Sequence, residues 1–203
     1  MLFRSNEATT RERVLEACYA CIARHGLDRT TVEDVAREAG LSRATIYRAF
    51  PGGRDDLVRE TVVWEMGRFF GGLAEHVAGA PDLATLIEDG LAYARAAILE
   101  HAVLQTVLRT EPERLLPLMT VEVDRPLRFI VGYLEPFLER EERAGHLRPG
   151  VAVPDAAEFI GRLLLSLIGS PGRWDLGDPL EVRLLVREQL LAGVLTPEAL
   201  AAS

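Results

Sequence analysis

The feature that most constrains the fold of this chain is a series of long segments with helical periodicity, separated by short Gly- and Pro-containing clusters. The clusters read GAPD, TEPE, AGHLRPG and SPGRWDLGDP, and the segments between them carry apolar residues at intervals of three and four. No segment shows the alternation of apolar and polar residues that a half-buried strand requires. A chain of 203 residues can also bury a sizeable core without a metal or a disulfide. We therefore predict an all-α protein of about nine helices.

Three helices are predicted in the first fifty residues. The first covers about residues 9–25 and carries one apolar stripe. The second covers residues 31–38, because Thr30 and Glu33 have the spacing of a capping box. After a turn that contains glycine, Ser42 can cap a third helix with the sequence RATIYRAF. Two short helices joined by a tight turn of this kind indicate a helix-turn-helix.

Charge is distributed unevenly along the chain, whose formal net charge is −8. Residues 1–54 contain nine Arg and seven acidic residues, a net charge of +2, and residues 55–203 contain 14 Arg and 24 acidic residues, a net charge of −10. The N-terminal segment can therefore approach a polyanion that would repel the rest of the chain. Arg4, Arg11 and Arg13 are candidates for a flexible arm or a helix start that contacts the backbone of such a partner, or else they belong to a disordered basic tail.

The third predicted helix has one face for the core and one for a partner. Ile46, Ala49 and Phe50 fall on the core face. In a helix-turn-helix, the N-terminal residues of the second helix contact base edges in the major groove of DNA. Small residues allow close approach, Arg binds guanine or phosphate, and a Tyr hydroxyl binds phosphate. The residues on this outer face are Arg43, Ala44, Thr45, Tyr47 and Arg48, and the alternative is that they are only solvated.

The segment TTVEDVAREAGLSRATIYRAFPGGRDDLVRE resembles the DNA-binding signature of TetR-family transcriptional regulators, and the match extends over roughly residues 9–60. The turn after Pro51 is one residue longer than in the usual pattern, and Arg54 stands where the family often has a phosphate-binding Lys. We therefore expect DNA contacts from Thr30, Thr31, Ser42 and Arg54, in addition to the outer face of the third helix. The residues that carry the resemblance are Thr30, Val35, Ala36, Ala39, Gly40, Leu41, Ser42, Tyr47, Phe50 and Pro51.

The resemblance implies an all-α homodimer with a DNA-binding domain in residues 1–53 and an effector-binding and dimerisation domain in residues 54–203. It also implies a repressor that a small molecule releases from a palindromic DNA operator. Two C-terminal segments, EFIGRLLLSLIG and VRLLVREQLLAGV, are too apolar for lone surface helices, which favours dimerisation. The alternatives are an activator, a regulator controlled by a partner protein, or a helical ligand-binding or assembly protein that does not read DNA sequence.

Candidate ligand-binding residues lie on the predicted helices of the second domain. An effector cavity needs apolar walls with few polar groups, and the apolar composition favours a lipophilic effector. Each candidate can instead be an exposed or a satisfied core residue, and Phe159 and Trp174 also suit a dimer interface. The candidates are Tyr93, His101, Gln105, Arg125, Phe129, Tyr133, Phe159 and Trp174.

Cys18 and Cys21 form a CxxC motif with His25 one helical turn later. Both cysteines lie in the apolar stripe of the first helix, and no second ligand pair is present, so we predict core packing and no metal site. The sequence lacks a nucleophile elbow, a P-loop, a dinucleotide fingerprint and a metalloprotease motif, so we predict neither an enzyme nor a cofactor. Since no signal segment or membrane-spanning run is evident, we expect a cytoplasmic protein.

Overall fold

The computed structural model describes residues 2–111 and 124–202, without the side chains of residues 2–9, 108, 124, 125 and 202. This part of the chain contains ten helices and no strand, apart from an isolated bridge between Leu147 and Leu195, so the predicted all-α class is confirmed. The helices are α1 (Leu2–His25), α2 (Val32–Ala39), α3 (Arg43–Ala49), α4 (Gly53–Val77), α5 (Leu83–Glu100), α6 (Ala102–Thr110), α7 (Asp124–Arg143), α8 (Val153–Gly169), α9 (Pro179–Leu184) and α10 (Pro197–Ala202). A π-helical segment, Leu185–Leu190, directly follows α9.

The chain forms two compact units, and the described part of the first comprises residues 2–71 and 98–111. Its core is made where the apolar stripe of α1 packs with side chains from α2, α3, α4 and α6. Ile46 and Phe50 of the α3 region are fully buried in this core, together with Val35 of α2. The position of α3 is therefore determined by apolar burial on one side, which leaves its other side for solvent or a partner.

The described part of the second unit comprises residues 72–97 and 124–202. Helices α7 and α8 approach closely at Gly161, where a Cβ atom would lie 3.0 Å from Leu127 Cδ1. The π-helical segment is joined to α5 by an ion pair, since Arg187 Nε donates to Glu88 Oε1 at 2.9 Å. This unit contains helices from both predicted apolar C-terminal segments.

The helix boundaries differ from the prediction in two places. The periodic segment between the GAPD and TEPE clusters is divided into two helices, because α5 ends at Glu100 and His101 caps α6, with its Nδ1 accepting from the Leu104 N–H at 3.0 Å. In the apolar segment after the SPGRWDLGDP cluster, the α-helical part ends at Leu184 and the π-helical segment continues only to Leu190. In both places the apolar pattern of the sequence continues across a break in the α-helix.

The predicted domain boundary after residue 53 falls at the start of α4, whereas the two compact units divide this helix after Gly71. The functional division at residue 53 stays a prediction. Among the described residues, no helix combines the length and the apolarity that crossing a membrane would need.

Candidate nucleic-acid interface and apolar cavity

Two helix caps and a left-handed glycine determine the turn between α2 and α3. Thr31 caps α2, because its Oγ1 accepts from the Asp34 backbone N–H at 3.2 Å. Gly40 ends α2 with φ +63°, a conformation that side-chain-bearing residues rarely adopt. Ser42 caps α3 by accepting from the Thr45 N–H at 3.2 Å, as predicted. These local bonds set the first residue of α3 and therefore which of its side chains face outward.

Thr30 has a different role from the predicted one. Its side chain is buried, and its hydroxyl donates to the Gly26 carbonyl at 2.8 Å. The cap predicted at Thr30 is wrong by one residue, because Thr31 occupies that position, and a buried Thr30 does not present its hydroxyl to DNA. The exposed Thr31 hydroxyl also donates to Asp34 Oδ2 at 2.6 Å, and this hydrogen bond lowers the pKa of the Asp34 carboxyl.

Helix α3 has the two faces that the sequence predicts. Ile46 is fully buried, as is Phe50 just after the helix, and Ala49 packs partly buried against the same core. Thr45 is partly exposed, with its Oγ1 2.9 Å from Ser42 Oγ. The exposed residues are Arg43, Ala44, Tyr47 and Arg48. These side chains form the outer face of α3, and their contact with DNA stays a prediction.

The two glycines after Pro51 each lie close to a neighbouring side chain, Gly53 to Tyr47 and Gly52 to Asp56. Gly53 has φ +68°, and a Cβ atom there would lie 3.3 Å from Tyr47 Cε1. At Gly52, a Cβ atom would lie 2.8 Å from the Cβ of Asp56. The additional residue in this turn therefore fits a left-handed conformation against which the Tyr47 ring lies.

The two arginines of the outer face have different surroundings. Arg43 Nη1 lies 2.7 Å from Glu33 Oε1 of α2, and both side chains are exposed. The Arg48 guanidinium has no hydrogen bond or ion pair to any residue that the structure describes. Arg48 can therefore meet a partner directly, whereas Arg43 is already paired with an acidic side chain.

The guanidinium of Arg54, the expected phosphate contact, donates hydrogen bonds to backbone carbonyls of the first unit. Its Nε donates to the Thr30 carbonyl at 2.9 Å, and its Nη2 donates to the Leu27 carbonyl. Its Nη1 lies 3.2 Å from Asp55 Oδ1. The side chain thus joins the start of α4 to the connection between α1 and α2, an arrangement that favours a structural role for Arg54.

Arg11 and Arg13 of α1 are also engaged internally. Arg11 donates to the Ala49 carbonyl and to Glu60 Oε2, each at 3.0 Å, and its guanidinium lies over the Phe50 ring. Arg13 Nη2 donates to the Ala39 carbonyl at 2.8 Å. These arginines bind carbonyls at the ends of α3 and α2, where cations are favourable. Both residues lie within α1, which excludes a disordered tail for them and agrees with the helix start that was the other expectation. Their contact with a DNA backbone stays a prediction, and the Arg4 side chain lies outside the described residues.

Cys18 and Cys21 pack in the core, as predicted. Both thiols are free and buried. Burial raises the pKa of the Cys18 thiol to about 11 and also raises the pKa of the Cys21 thiol, so both are neutral near pH 7. Over residues 2–111 and 124–202, no group of three or more His, Cys, Asp or Glu side chains is arranged to hold a metal ion.

The second unit encloses an apolar cavity of about 60 Å³ between α4, α5, α7 and α8. Phe129 and Tyr133, two of the predicted ligand residues, line it. The Tyr133 hydroxyl donates to the Ala74 carbonyl at 3.4 Å, so this polar group already has a partner. The rest of the wall is aliphatic or glycine and includes Leu73, Ile87, Leu91, Leu134 and Leu164. Such a wall suits an apolar molecule, and the described residues that form it include no charged side chain for an ionised one.

Three other predicted ligand residues of this unit do not line the cavity. The Tyr93 ring lies 5.1 Å from the His76 ring, the Phe159 side chain is exposed, and the Arg173 guanidinium lies over the Trp174 ring at 4.5 Å. The side chain of Arg125 lies outside the described residues. A ligand role for Tyr93, Phe159 and Trp174 therefore has no support from the cavity.

His101 and Gln105 belong to the first unit and have partners there. Besides capping α6, His101 places Nε2 3.4 Å from Glu65 Oε1 and its ring edge against Tyr19. Gln105 Nε2 donates to the Ile98 carbonyl at 3.0 Å. Both fit the alternative in which these polar groups are satisfied structural residues of the α5–α6 junction.

Sequence reasoning missed the aliphatic part of the cavity wall and the Glu33 partner of Arg43. Aliphatic residues at helical spacing give the same pattern whether they face a cavity or a filled core. A pair between α2 and α3 becomes visible only when the two helices have been placed against each other.

The comparisons with known proteins agree with this geometry. Residues 14–61 match the family model described as bacterial regulatory proteins of the tetR family. An uncharacterized HTH-type transcriptional regulator of Mycobacterium tuberculosis is 46% identical over 55 residues, which are 27% of this chain and 29% of that protein. The match thus spans less than a third of the relative's length.

Two solved structures resemble the chain over nearly its whole length. A TetR-family transcriptional regulator from Pectobacterium atrosepticum is 21% identical with a TM-score of 0.68, covering 95% of this chain and 97% of that one. A complex of SmeT with triclosan is 23% identical with a TM-score of 0.60, covering 93% of each chain. SmeT is the repressor of the Stenotrophomonas maltophilia multidrug efflux pump SmeDEF. At these identities the resemblance shows the fold.

The capped turn and the exposed face of α3 define a helix-turn-helix protein. The match over residues 14–61 shows that this helix-turn-helix segment is similar to bacterial regulatory proteins of the tetR family, and the chain shares the fold of a solved TetR-family regulator.

Proposed function

We propose that this chain binds a palindromic DNA operator as a homodimer and represses transcription until a small lipophilic molecule binds. The observation that carries the proposal is the outer face of α3, where Arg43, Ala44, Tyr47 and Arg48 are exposed on a helix whose other side is buried in the core. A helix held in this way can enter the major groove with its side chains toward the base edges.

Each side chain of this face has a defined task in the proposal. Ala44 allows close approach of the helix, and the Thr45 methyl can contact a thymine methyl. Tyr47 is 44% exposed, so its hydroxyl can donate to a phosphate oxygen, a contact that positions the protein without reading sequence. Arg48 has no described partner to give up, so its guanidinium can bind guanine or phosphate at no internal loss.

Exposed apolar side chains of the second unit support the proposed dimerisation. Phe159 of α8 and Leu180 and Leu184 of α9 are 48%, 69% and 47% exposed. Pairing these helices with those of a second copy would bury this apolar surface. A homodimer presents two α3 helices, which matches the symmetry of a palindromic operator.

The cavity supports a lipophilic effector. None of the described residues that line it is charged, and the Tyr133 hydroxyl is bonded to the Ala74 carbonyl. The similar protein SmeT has been solved with triclosan, and we extend binding of an apolar aromatic molecule to this chain by analogy. Release from DNA then requires that the effector bind the DNA-incompetent shape more tightly, by the same free energy that it removes from operator binding. A regulator that binds chromosomal DNA works in the bacterial cytoplasm, the location we propose.

The test is selection of bound duplexes from a randomised DNA pool at physiological salt. The unsubstituted chain is compared with a Tyr47→Ala, Arg48→Ala double variant. Arg128→Ala serves as the matched control, because it removes an exposed arginine of α7 in the second unit. The proposal expects a palindrome from the unsubstituted chain and the control, and none from the double variant.

A pool that remains random would favour the alternative of a ligand-binding or assembly protein that does not read DNA sequence. If the pool instead yields a palindrome, transcription from a template with that operator and purified components distinguishes a repressor from an activator or a partner-controlled regulator. Adding triclosan to that reaction tests effector release with a defined apolar molecule.

A further inference from the structure

An acidic side chain lies directly beside the outer face of α3. Glu33 of α2 is exposed, and its Oε1 lies 2.7 Å from Arg43 Nη1. More than half of each side chain is exposed, so the pair contributes little to stability. DNA phosphates repel a surface carboxylate in this place, which lowers affinity for any duplex. Neither a gain in stability nor a gain in general DNA affinity therefore explains an acidic residue at position 33.

Orientation of the Arg43 guanidinium is a role that Glu33 can have. Arg43 is the first residue of α3, the end from which a recognition helix reaches base edges. Arginine reads guanine through two parallel N–H donors to O6 and N7, which requires the planar guanidinium to be correctly turned. Glu33 Oε1 forms an ion pair with Nη1, while Nε and Nη2 have no other partner among the residues that the structure describes. A carboxylate at one edge of the guanidinium restricts its rotation and leaves the other edge for a base.

We propose that Glu33 is a positioning residue that holds the Arg43 guanidinium for reading one base pair in each operator half-site. This inference rests on the proposed DNA binding. Arg48, which has no described acidic partner, is not subject to this control. Glu38 offers a matched comparison, because it lies on the same helix and pairs with Arg24 of α1 instead of a residue of α3.

The test measures base preference at every operator position by duplex selection with the full chain and with four variants. Arg43→Ala is expected to remove the preference at one position of each half-site. Glu33→Gln is expected to weaken the preference at that same position about two- to five-fold, the range that corresponds to exposed ion pairs. Glu33→Asp keeps the charge with a shorter reach and retains part of the preference. Glu38→Gln makes the same charge change and keeps every preference.

Two results would overturn the inference. One is an equal gain of affinity for all duplexes in Glu33→Gln and Glu38→Gln, which would reduce Glu33 to a general charge effect. The other is a position that Arg43→Ala loses and Glu33→Gln keeps in full. If the unsubstituted chain selects no sequence, the proposed DNA binding fails instead. Thermal unfolding of each variant verifies that it is folded, and Glu33→Asp provides the comparison if Glu33→Gln unfolds early.

Discussion

Replacing Arg54 with Met removes the guanidinium and keeps most of the aliphatic stem. We expect this variant to lose stability, because Met cannot donate to the Thr30 and Leu27 carbonyls that Arg54 binds. The folded fraction is expected to keep its intrinsic DNA affinity. The phosphate-contact role that the family resemblance implies for Arg54 gives the opposite expectation, so the variant separates the two roles.

The magnitude follows from the two hydrogen bonds and their exposure. A hydrogen bond from a charged group contributes about 1.5–3 kcal/mol when it is well buried. The Arg54 side chain is 37% exposed, so water replaces part of what is lost. We expect the free energy of unfolding to fall by about 2 kcal/mol for both bonds together. In a chain of 203 residues, this corresponds to a melting temperature lower by about 4–8 °C.

Thermal unfolding followed by circular dichroism measures this loss, at equal protein concentrations because the stability of a dimer depends on concentration. Arg48→Met is the matched control, since this exposed arginine has no partner within the described residues. It should change stability by no more than about 0.5 kcal/mol. Operator affinity, measured by fluorescence anisotropy at several salt concentrations, should fall for Arg48→Met.

The opposite pattern would refute the reasoning. An unchanged melting temperature for Arg54→Met would mean that its two carbonyl bonds add nothing to stability. A salt dependence of the same variant reduced by about one phosphate contact would assign Arg54 to the DNA backbone.

Three further expectations concern the cap of α3, the buried thiol and the cavity. Ser42→Ala removes the acceptor of the Thr45 N–H and should lower stability by about 1 kcal/mol in urea unfolding; an unchanged midpoint would mean that water replaces the cap. Cys18 has a folded-state pKa of about 11 against an ordinary 9.0, so its stabilising contribution is present below pH 9 and declines as the pH rises from there towards 11. The stability difference between the unsubstituted chain and Cys18→Ala should therefore shrink over that window, and a constant difference would contradict the burial argument. Leu134→Ala enlarges the cavity and should lower the free energy of unfolding by about 2–5 kcal/mol, whereas a loss below 1 kcal/mol would mean that the wall collapses to fill the space.

Much of the first unit is predictable because its signals are local. The cap at Ser42, the left-handed Gly40 and the burial of Ile46 depend on residues within one or two turns of each other. The choice between Thr30 and Thr31 as the cap is harder, because both have a suitable acidic residue three positions later. Burial determines that Thr31 is the cap, because the Thr30 hydroxyl is already bonded to the Gly26 carbonyl inside the domain.

The arginines show where sequence reasoning stops. Charge counting along the sequence does not distinguish the arginines of the N-terminal segment, namely Arg11, Arg13, Arg43, Arg48 and Arg54. Their roles diverge because Arg11, Arg13 and Arg54 reach carbonyls 38, 26 and 24 residues away. Hydrogen bonds between residues so far apart in the sequence cannot be inferred from helical periodicity.

The sequence by itself determined the helical class, the helix-turn-helix and the two faces of α3, because periodicity, capping and turn chemistry act over a few neighbouring residues. Only the tertiary structure decided which arginines remain available, that Glu33 pairs with Arg43, that His101 separates α5 from α6, and that side chains from four helices enclose a cavity. These features depend on contacts between segments far apart in the chain, whose geometry exists only once the helices have packed.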